Sequence, residues 1–94
     1  MSAFPLTPEQ LADTLRAMPE DFELHPLHAC LCPIACALRE RGHVDVRVHS
    51  EIAEFDGDAV FLPNWAQSYV DQVDGIRGTI SPLEALRLLE QVLA

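Results

Sequence analysis

Residues 25–42 read His-Pro-Leu-His-Ala-Cys-Leu-Cys-Pro-Ile-Ala-Cys-Ala-Leu-Arg-Glu-Arg-Gly and contain all three cysteines of the 94-residue chain. Cys32 followed by Pro33 predicts the start of a helix, because a small polar side chain suits the cap and proline suits the first helical position. Gly42 is typical of the position just past a helix end. The small residues between these ends predict a central helix that other elements approach closely.

Upstream of this helix, Thr7-Pro8-Glu9-Gln10 predicts the start of a first helix, with a capping box formed by its threonine and glutamine. Residues 1–6 are expected to be a loose lead-in, within which Phe4 and Leu6 can still pack down. The chain is short enough to form one domain, residues 1–94, with a single modest core.

Downstream, the hydrophobic period changes from helical to alternating. Residues 44–48 alternate valine with polar residues, and residues 51–55 and 59–62 give two more short strands. Two helices follow, one over residues 63–75 and a leucine-rich one over residues 82–94. The predicted fold is α+β with element order α-α-β-β-β-α-α, a three-stranded antiparallel meander with helices packed on one face.

The turn between the second and third strands is either Asp56-Gly57 or Gly57-Asp58, since both are two-residue hairpin signals. We prefer Gly57-Asp58, because it pairs Phe55 with Val60 and keeps the apolar residues of both strands on one face.

The charge balance excludes several functions. Fifteen carboxylates face six arginines and no lysine, which gives a net charge of -9. Direct nucleic-acid binding and adhesion to anionic lipid both need clustered cations, so neither is expected. No apolar run is long enough to cross a bilayer, and the N-terminal residues do not read as a secretory signal. We therefore expect a soluble cytoplasmic protein, whose acidity serves solubility or competition with nucleic acid for a basic partner.

Three features between residues 32 and 75 resemble small uncharacterised proteins encoded by bacteriophages and prophages. They are Cys32-Pro33-Ile34-Ala35-Cys36-Ala37-Leu38-Arg39, a short strand meander, and Leu62-Pro63 before a helix that bears Trp65 and Tyr69. The phage proteins commonly read Cys-Pro-x-Ala-x-Ala-Leu-Arg, a meander, and Leu-Pro before an aromatic-bearing helix. The resemblance implies a phage-type accessory protein and supplies no activity and no catalytic residues.

The cysteine-rich stretch offers one metal-binding interpretation. Zinc takes four nitrogen or sulfur ligands, and His28, Cys30, Cys32 and Cys36 could supply them, with His25 close by. The competing interpretation is structural, with a cysteine cap on the helix, a small core cysteine after it and surface histidines before it. Cys32 at a helix N-terminus is also expected to have a lowered thiol pKa, although no residue is identified that would orient a histidine as its base.

The leading functional interpretation is a non-enzymatic interaction protein that binds and modulates or inhibits a host or partner protein, for instance a nucleic-acid-handling defence complex. Its acidic surface is predicted to consist of Glu51, Glu54, Asp56, Asp58, Asp71 and Asp74. Trp65 and Tyr69 belong either to the core or to an anchor for a partner. The alternatives are a small zinc-binding domain and a structural homo-oligomer that uses the last helix, with Leu83, Leu86, Leu89 and Leu93 as its stripe. No catalytic motif is recognised, and no cofactor is expected unless the histidine and cysteine cluster binds zinc.

Overall fold

The computed structural model describes residues 4–26, 28 and 31–94. Within them the elements are α1 (Pro8–Ala17), α2 (Pro33–Glu40), β1 (Arg47–Val48), β2 (Ile52–Phe55), β3 (Asp58–Phe61), α3 (Asn64–Asp74) and α4 (Pro82–Leu93). The strands form one antiparallel sheet in the order β1-β2-β3. The predicted α+β class and element order are confirmed. None of the described helices combines the length and apolarity needed to cross a membrane.

Helix starts follow the capping residues read from the sequence. Thr7, Cys32 and Ser81 cap α1, α2 and α4, each through a side-chain oxygen or sulfur that accepts the backbone N–H of the third helical residue. In α1 the capping box is complete, because the Gln10 side chain accepts the Thr7 backbone N–H at 2.9 Å. α3 differs, since its cap residue is Pro63 and makes no side-chain hydrogen bond. Proline just inside the cap thus sets where α1, α2 and α4 begin.

The core lies between the helices and one face of the sheet. α2 is its centre, because every residue from Pro33 to Leu38 is buried. The other elements contribute Leu11, Leu15, Val48, Ala53, Phe55, Ala66, Tyr69, Val70, Val73, Ala85 and Leu89. This agrees with the prediction that other elements closely approach the small-residue helix.

A backbone bridge that the sequence did not indicate ties two loops together. Leu24 and Ile80 exchange both backbone hydrogen bonds at 3.0 Å, and both side chains are buried. The bridge joins the α1–α2 connection to the segment before α4.

The N-terminal lead-in is packed where the structure describes it. The Phe4 ring meets the Trp65 ring edge-on at a centroid distance of 6.2 Å, and Leu6 is buried. Residues 4–6 are therefore not a loose lead-in, and residues 1–3 lie outside the described residues.

The first strand is shorter than predicted. Asp45 adopts φ +53°, which interrupts the extended chain, and Val44 is 59 % exposed rather than buried with Val46 and Val48. The alternating valines therefore predicted the inward-facing residues of β1 but placed its start too early.

The predicted hairpin register is wrong. Phe55 pairs with Asp58 and Ala53 with Val60, so the turn is Asp56-Gly57 and the strands are offset by two residues from the preferred register. Asp56 has φ +53° and Gly57 has φ +82°, and a type I′ turn needs positive φ at both positions. Aspartate tolerates that conformation and glycine adopts it freely, which favours Asp-Gly in this order.

Candidate functional site

The sheet has one face toward the helices and one toward solvent. Because side chains alternate along a strand, Ala53, Phe55 and the half-buried Val60 face inward. Their neighbours Glu54 and Phe61 point outward and are exposed. The solvent-facing side is therefore a surface on which charged and apolar side chains stand together.

Phe61 is the most exposed large apolar residue among those described, with 75 % of its surface accessible. It ends β3, an edge strand whose sheet neighbour is β2, and its pairing partner Ile52 is only half-buried. A large aromatic side chain on the outer face can serve as the anchor of a contact with another molecule. Sequence reasoning missed it, although alternation from the buried Phe55 through the turn would have put residue 61 on the outer face.

Asp56 holds the turn to the start of the sheet. Its carboxylate lies 2.6 Å from Nδ1 of His43 and accepts the Val44 backbone N–H at 2.8 Å, while its own N–H donates to the Val44 carbonyl at 2.8 Å. The hydrogen bond from His43, with that from Val44, lowers the pKa of Asp56. The His43 ring also lies edge-on to Phe55 at 5.0 Å. Asp56 is therefore exposed but fixed, and serves the hairpin itself.

A second histidine pairs with a carboxylate on the outer face. Nε2 of His49 lies 2.8 Å from Oε2 of Glu54, with both side chains about half exposed. Glu51 and Asp58 are exposed at opposite ends of the hairpin. Glu54 is therefore the predicted carboxylate that projects from the outer face, whereas Glu51 and Asp58 lie at the two ends of the hairpin, opposite the buried Leu62 and Phe55.

Asp71 and Asp74 belong to a different part of the surface, the last turn of α3, and both are exposed. Partial burial, together with the charge of Asp71, raises the pKa of Asp74. Asp74 shares a cleft with His49 and Cys32 beside the β1–β2 turn. His49 therefore lies beside two of the predicted carboxylates, since it lines this cleft with Asp74 and pairs with Glu54.

The thiols do not have the properties of nucleophiles. Cys32 is buried, and that burial raises its pKa to about 11 even though its sulfur accepts the Ala35 backbone N–H at 3.5 Å. The expected lowering of this pKa is wrong, because desolvation exceeds the effect of the helix terminus. Burial also raises the pKa of Cys36, whose sulfur accepts a hydrogen bond from Arg39 at 3.5 Å.

The predicted zinc ligands differ in their exposure to solvent. His25 and His28 are exposed, whereas Cys32 and Cys36 are buried. Cys30 lies outside the described residues. Across residues 4–26, 28 and 31–94, no three histidine, cysteine or carboxylate side chains gather in a group that could hold a metal ion.

The two aromatic residues of α3 have different places. Tyr69 is fully buried, and its hydroxyl donates to the Ala85 carbonyl at 2.8 Å. Of the two predicted alternatives, core residue or anchor for a partner, Tyr69 is a core residue. Trp65 is half-buried and packs against the core next to Phe4.

No protein-family model, curated protein or solved structure matches this chain.

Proposed function

We propose that the chain is a non-enzymatic interaction protein that binds a partner protein through the outer side of its β2–β3 hairpin. We name this the hairpin surface and define it as the outward-facing Glu54, Ala59 and Phe61, together with Glu51 and Asp58 at the two ends of the hairpin. The observation that carries the proposal is the 75 % exposure of Phe61 on the solvent-facing side of the sheet, next to Ile52 and close to Glu54.

The composition of this surface fits the anatomy of protein interfaces. A large exposed side chain can bury itself in a partner and supply most of the binding energy, while charges around it steer the encounter. Phe61 provides the apolar anchor, and Glu51 and Asp58 provide negative charge at the two ends. The net charge of -9 extends that negative field over the molecule. The partner therefore presents an apolar pocket with a basic rim.

The resemblance to phage-encoded proteins supports a narrower role. An acidic accessory protein acting in the cytoplasm can occupy a basic groove that otherwise receives nucleic acid. In this role it would modulate or inhibit a host complex, for instance one that handles nucleic acid in defence.

The test compares surface variants of the full chain as baits for proteins from the cytoplasmic extract of the host. Phe61→Ser removes the anchor and Asp58→Lys reverses a rim charge, and neither residue holds the turn. Phe22→Ser is the matched control, because Phe22 is also an exposed phenylalanine, at 42 %, and belongs to the α1–α2 connection and not to the sheet. We avoid reversing Asp56, since its carboxylate fixes the hairpin and its loss would confuse folding with binding.

The expected result is a captured protein whose affinity for the purified chain falls by about thirtyfold or more with Phe61→Ser, the loss typical of an interface hot spot. Added salt and Asp58→Lys should both slow association, because rim charges act mainly on the association rate. Phe22→Ser should bind as wild type. Equal binding by wild type and Phe61→Ser would refute the proposal.

Exposed leucines on α4 favour self-association as a second candidate. Leu83 and Leu93 were predicted to belong to an apolar stripe, yet they are 57 % and 50 % exposed, because the buried line of the helix runs through Pro82, Ala85 and Leu89. Light scattering on the purified chain tests this: a dimer that Leu83→Ser converts to a monomer would support it, and a wild-type monomer at high concentration would exclude it.

A further inference from the structure

The backbone of β3 presents unpaired groups to solvent. Leu62 N–H donates to the Glu51 carbonyl at 2.8 Å, and the register pairs Val60 with Ala53. In an antiparallel ladder, alternate residues turn their N–H and C=O toward the same neighbour. Val60 and Leu62 therefore face β2, while Ala59 and Phe61 direct their N–H and C=O away from the sheet.

This edge lacks the usual protections along its middle. Proteins commonly cover an edge strand, or place charges and proline on it, because its free groups can pair with another chain. In the part of the chain that the structure describes, β3 has a strand neighbour on one side only. Asp58 starts the strand and Pro63 follows it, but the residues 59–61 between them are uncharged.

We propose that the edge of β3 accepts an extended segment of the partner as a fourth, antiparallel strand. This inference deepens the proposed function and rests on it, since it names how the hairpin surface binds. Backbone pairing would supply the hydrogen bonds, and alternate side chains of the segment would lie over the outer face.

The side chains along the edge specify the chemistry of that segment. Its residue opposite Ala59 would be basic, because the Ala59 methyl is small and lets a long side chain reach Glu54, which Ala59 faces across the ladder. Its residue opposite Phe61 would be apolar and would cover the ring. Carboxylates at both ends of the strand, Asp58 and Glu51, favour further positive charge.

A synthetic peptide provides the probe. The acetylated and amidated sequence Thr-Arg-Thr-Val-Thr-Arg-Thr places valine opposite Phe61 and an arginine opposite Ala59. Binding to the full chain is measured by fluorescence anisotropy at low salt. One control peptide carries glutamate in place of arginine. Another has N-methyl groups on the arginine and valine amides, which removes the donors that would face β3 and leaves every side chain unchanged.

The matched protein variants are Ala59→Pro and Ala59→Val. Proline removes an outward N–H and leaves the β2 ladder intact, because Ala59 does not donate to β2; valine keeps that N–H. We expect Ala59→Pro and the N-methylated peptide each to weaken binding by about tenfold or more, while Ala59→Val retains it. Amide exchange of Val60 in Ala59→Pro reports whether the hairpin stays paired. If the hairpin does not stay paired in this variant, the N-methylated peptide tests strand addition on the wild-type protein.

The outcomes separate the two proposals. Salt-sensitive binding that Phe61→Ser and Asp58→Lys weaken, but that N-methylation and Ala59→Pro leave unchanged, would overturn strand addition and leave the hairpin surface as a binding site. Equal binding of the arginine and glutamate peptides would overturn the basic segment. Absence of peptide binding overturns strand addition by this segment, and the capture experiment with Phe61→Ser still tests the proposed function by itself.

Discussion

Tyr69 gives the sharpest test of how the helices are assembled. Its side chain is fully buried, and its hydroxyl donates to the Ala85 carbonyl of α4 at 2.8 Å. Burial raises the pKa of Tyr69, so the hydroxyl is protonated and acts as a donor at neutral pH. One residue of α3 therefore contributes both packing and a hydrogen bond to the contact with α4.

Two substitutions separate these contributions. Tyr69→Phe keeps the ring and removes the hydrogen bond, which should lower the free energy of unfolding by about 1 kcal/mol. Tyr69→Ala also removes the ring and leaves a cavity, with an expected loss of about 3–5 kcal/mol. A domain of this length is stable by roughly 5–14 kcal/mol, so the alanine variant should be close to unfolding at physiological temperature.

Urea unfolding followed by circular dichroism measures both changes, provided that the dependence on urea concentration is the same in each variant. Near the midpoint of thermal unfolding, Tyr69→Phe should lower Tm by about 4–8 °C. A loss below about 1 kcal/mol for Tyr69→Ala would refute the placement of this ring in the core. Peptide binding by Tyr69→Phe should equal that of wild type, since Tyr69 has no exposed surface.

Three further predictions concern the turn and the thiols. The pKa of Asp56 is lower in the folded state, so its hydrogen bonds stabilise the fold above the unfolded pKa of about 3.9, and this stabilisation is lost as pH falls through the folded pKa. Asp56→Asn should therefore reduce the loss of stability between about pH 5 and pH 2, measured by the midpoints of urea unfolding. A loss of stability equal to that of wild type would contradict this. Gly57→Ala should cost about 1–2 kcal/mol in urea unfolding because φ is +82°, whereas an equally stable variant would argue against the type I′ turn. Iodoacetamide should alkylate Cys32 and Cys36 slowly in the folded protein and quickly in urea, since both are buried with raised pKa values; peptide mass mapping distinguishes them, and rapid native labelling would disprove it.

Capping residues and the prolines next to them were sufficient to predict the helices. Thr7 and Ser81 carry oxygen acceptors, and proline follows each, so the residues that start α1 and α4 are specified within a few positions of sequence. The Leu24–Ile80 bridge could not be found in this way. It joins residues far apart in the chain, and neither has a local signal for pairing.

The pKa of the Cys32 thiol is a second property that local sequence did not predict. The position of Cys32 at a helix start was read correctly, but the pKa depends on how much water reaches the sulfur. That is decided by the side chains packed around it, and burial reverses the expected direction. A local pattern can thus place a residue correctly and still give its chemistry with the wrong sign.

The hairpin register matters most for function, because it decides which backbone groups the edge strand offers. With the turn predicted at Gly57-Asp58, the outward N–H and C=O groups would belong to Val60 and Leu62, whose side chains face the core. The observed Asp56-Gly57 turn gives those groups to Ala59 and Phe61, whose side chains are exposed. The offset of two residues leaves the buried face unchanged, so hydrophobic alternation alone does not distinguish the two registers. The backbone of the turn does, since Asp56 and Gly57 both have the positive φ that a type I′ turn needs, and the turn thereby sets which surface the protein presents.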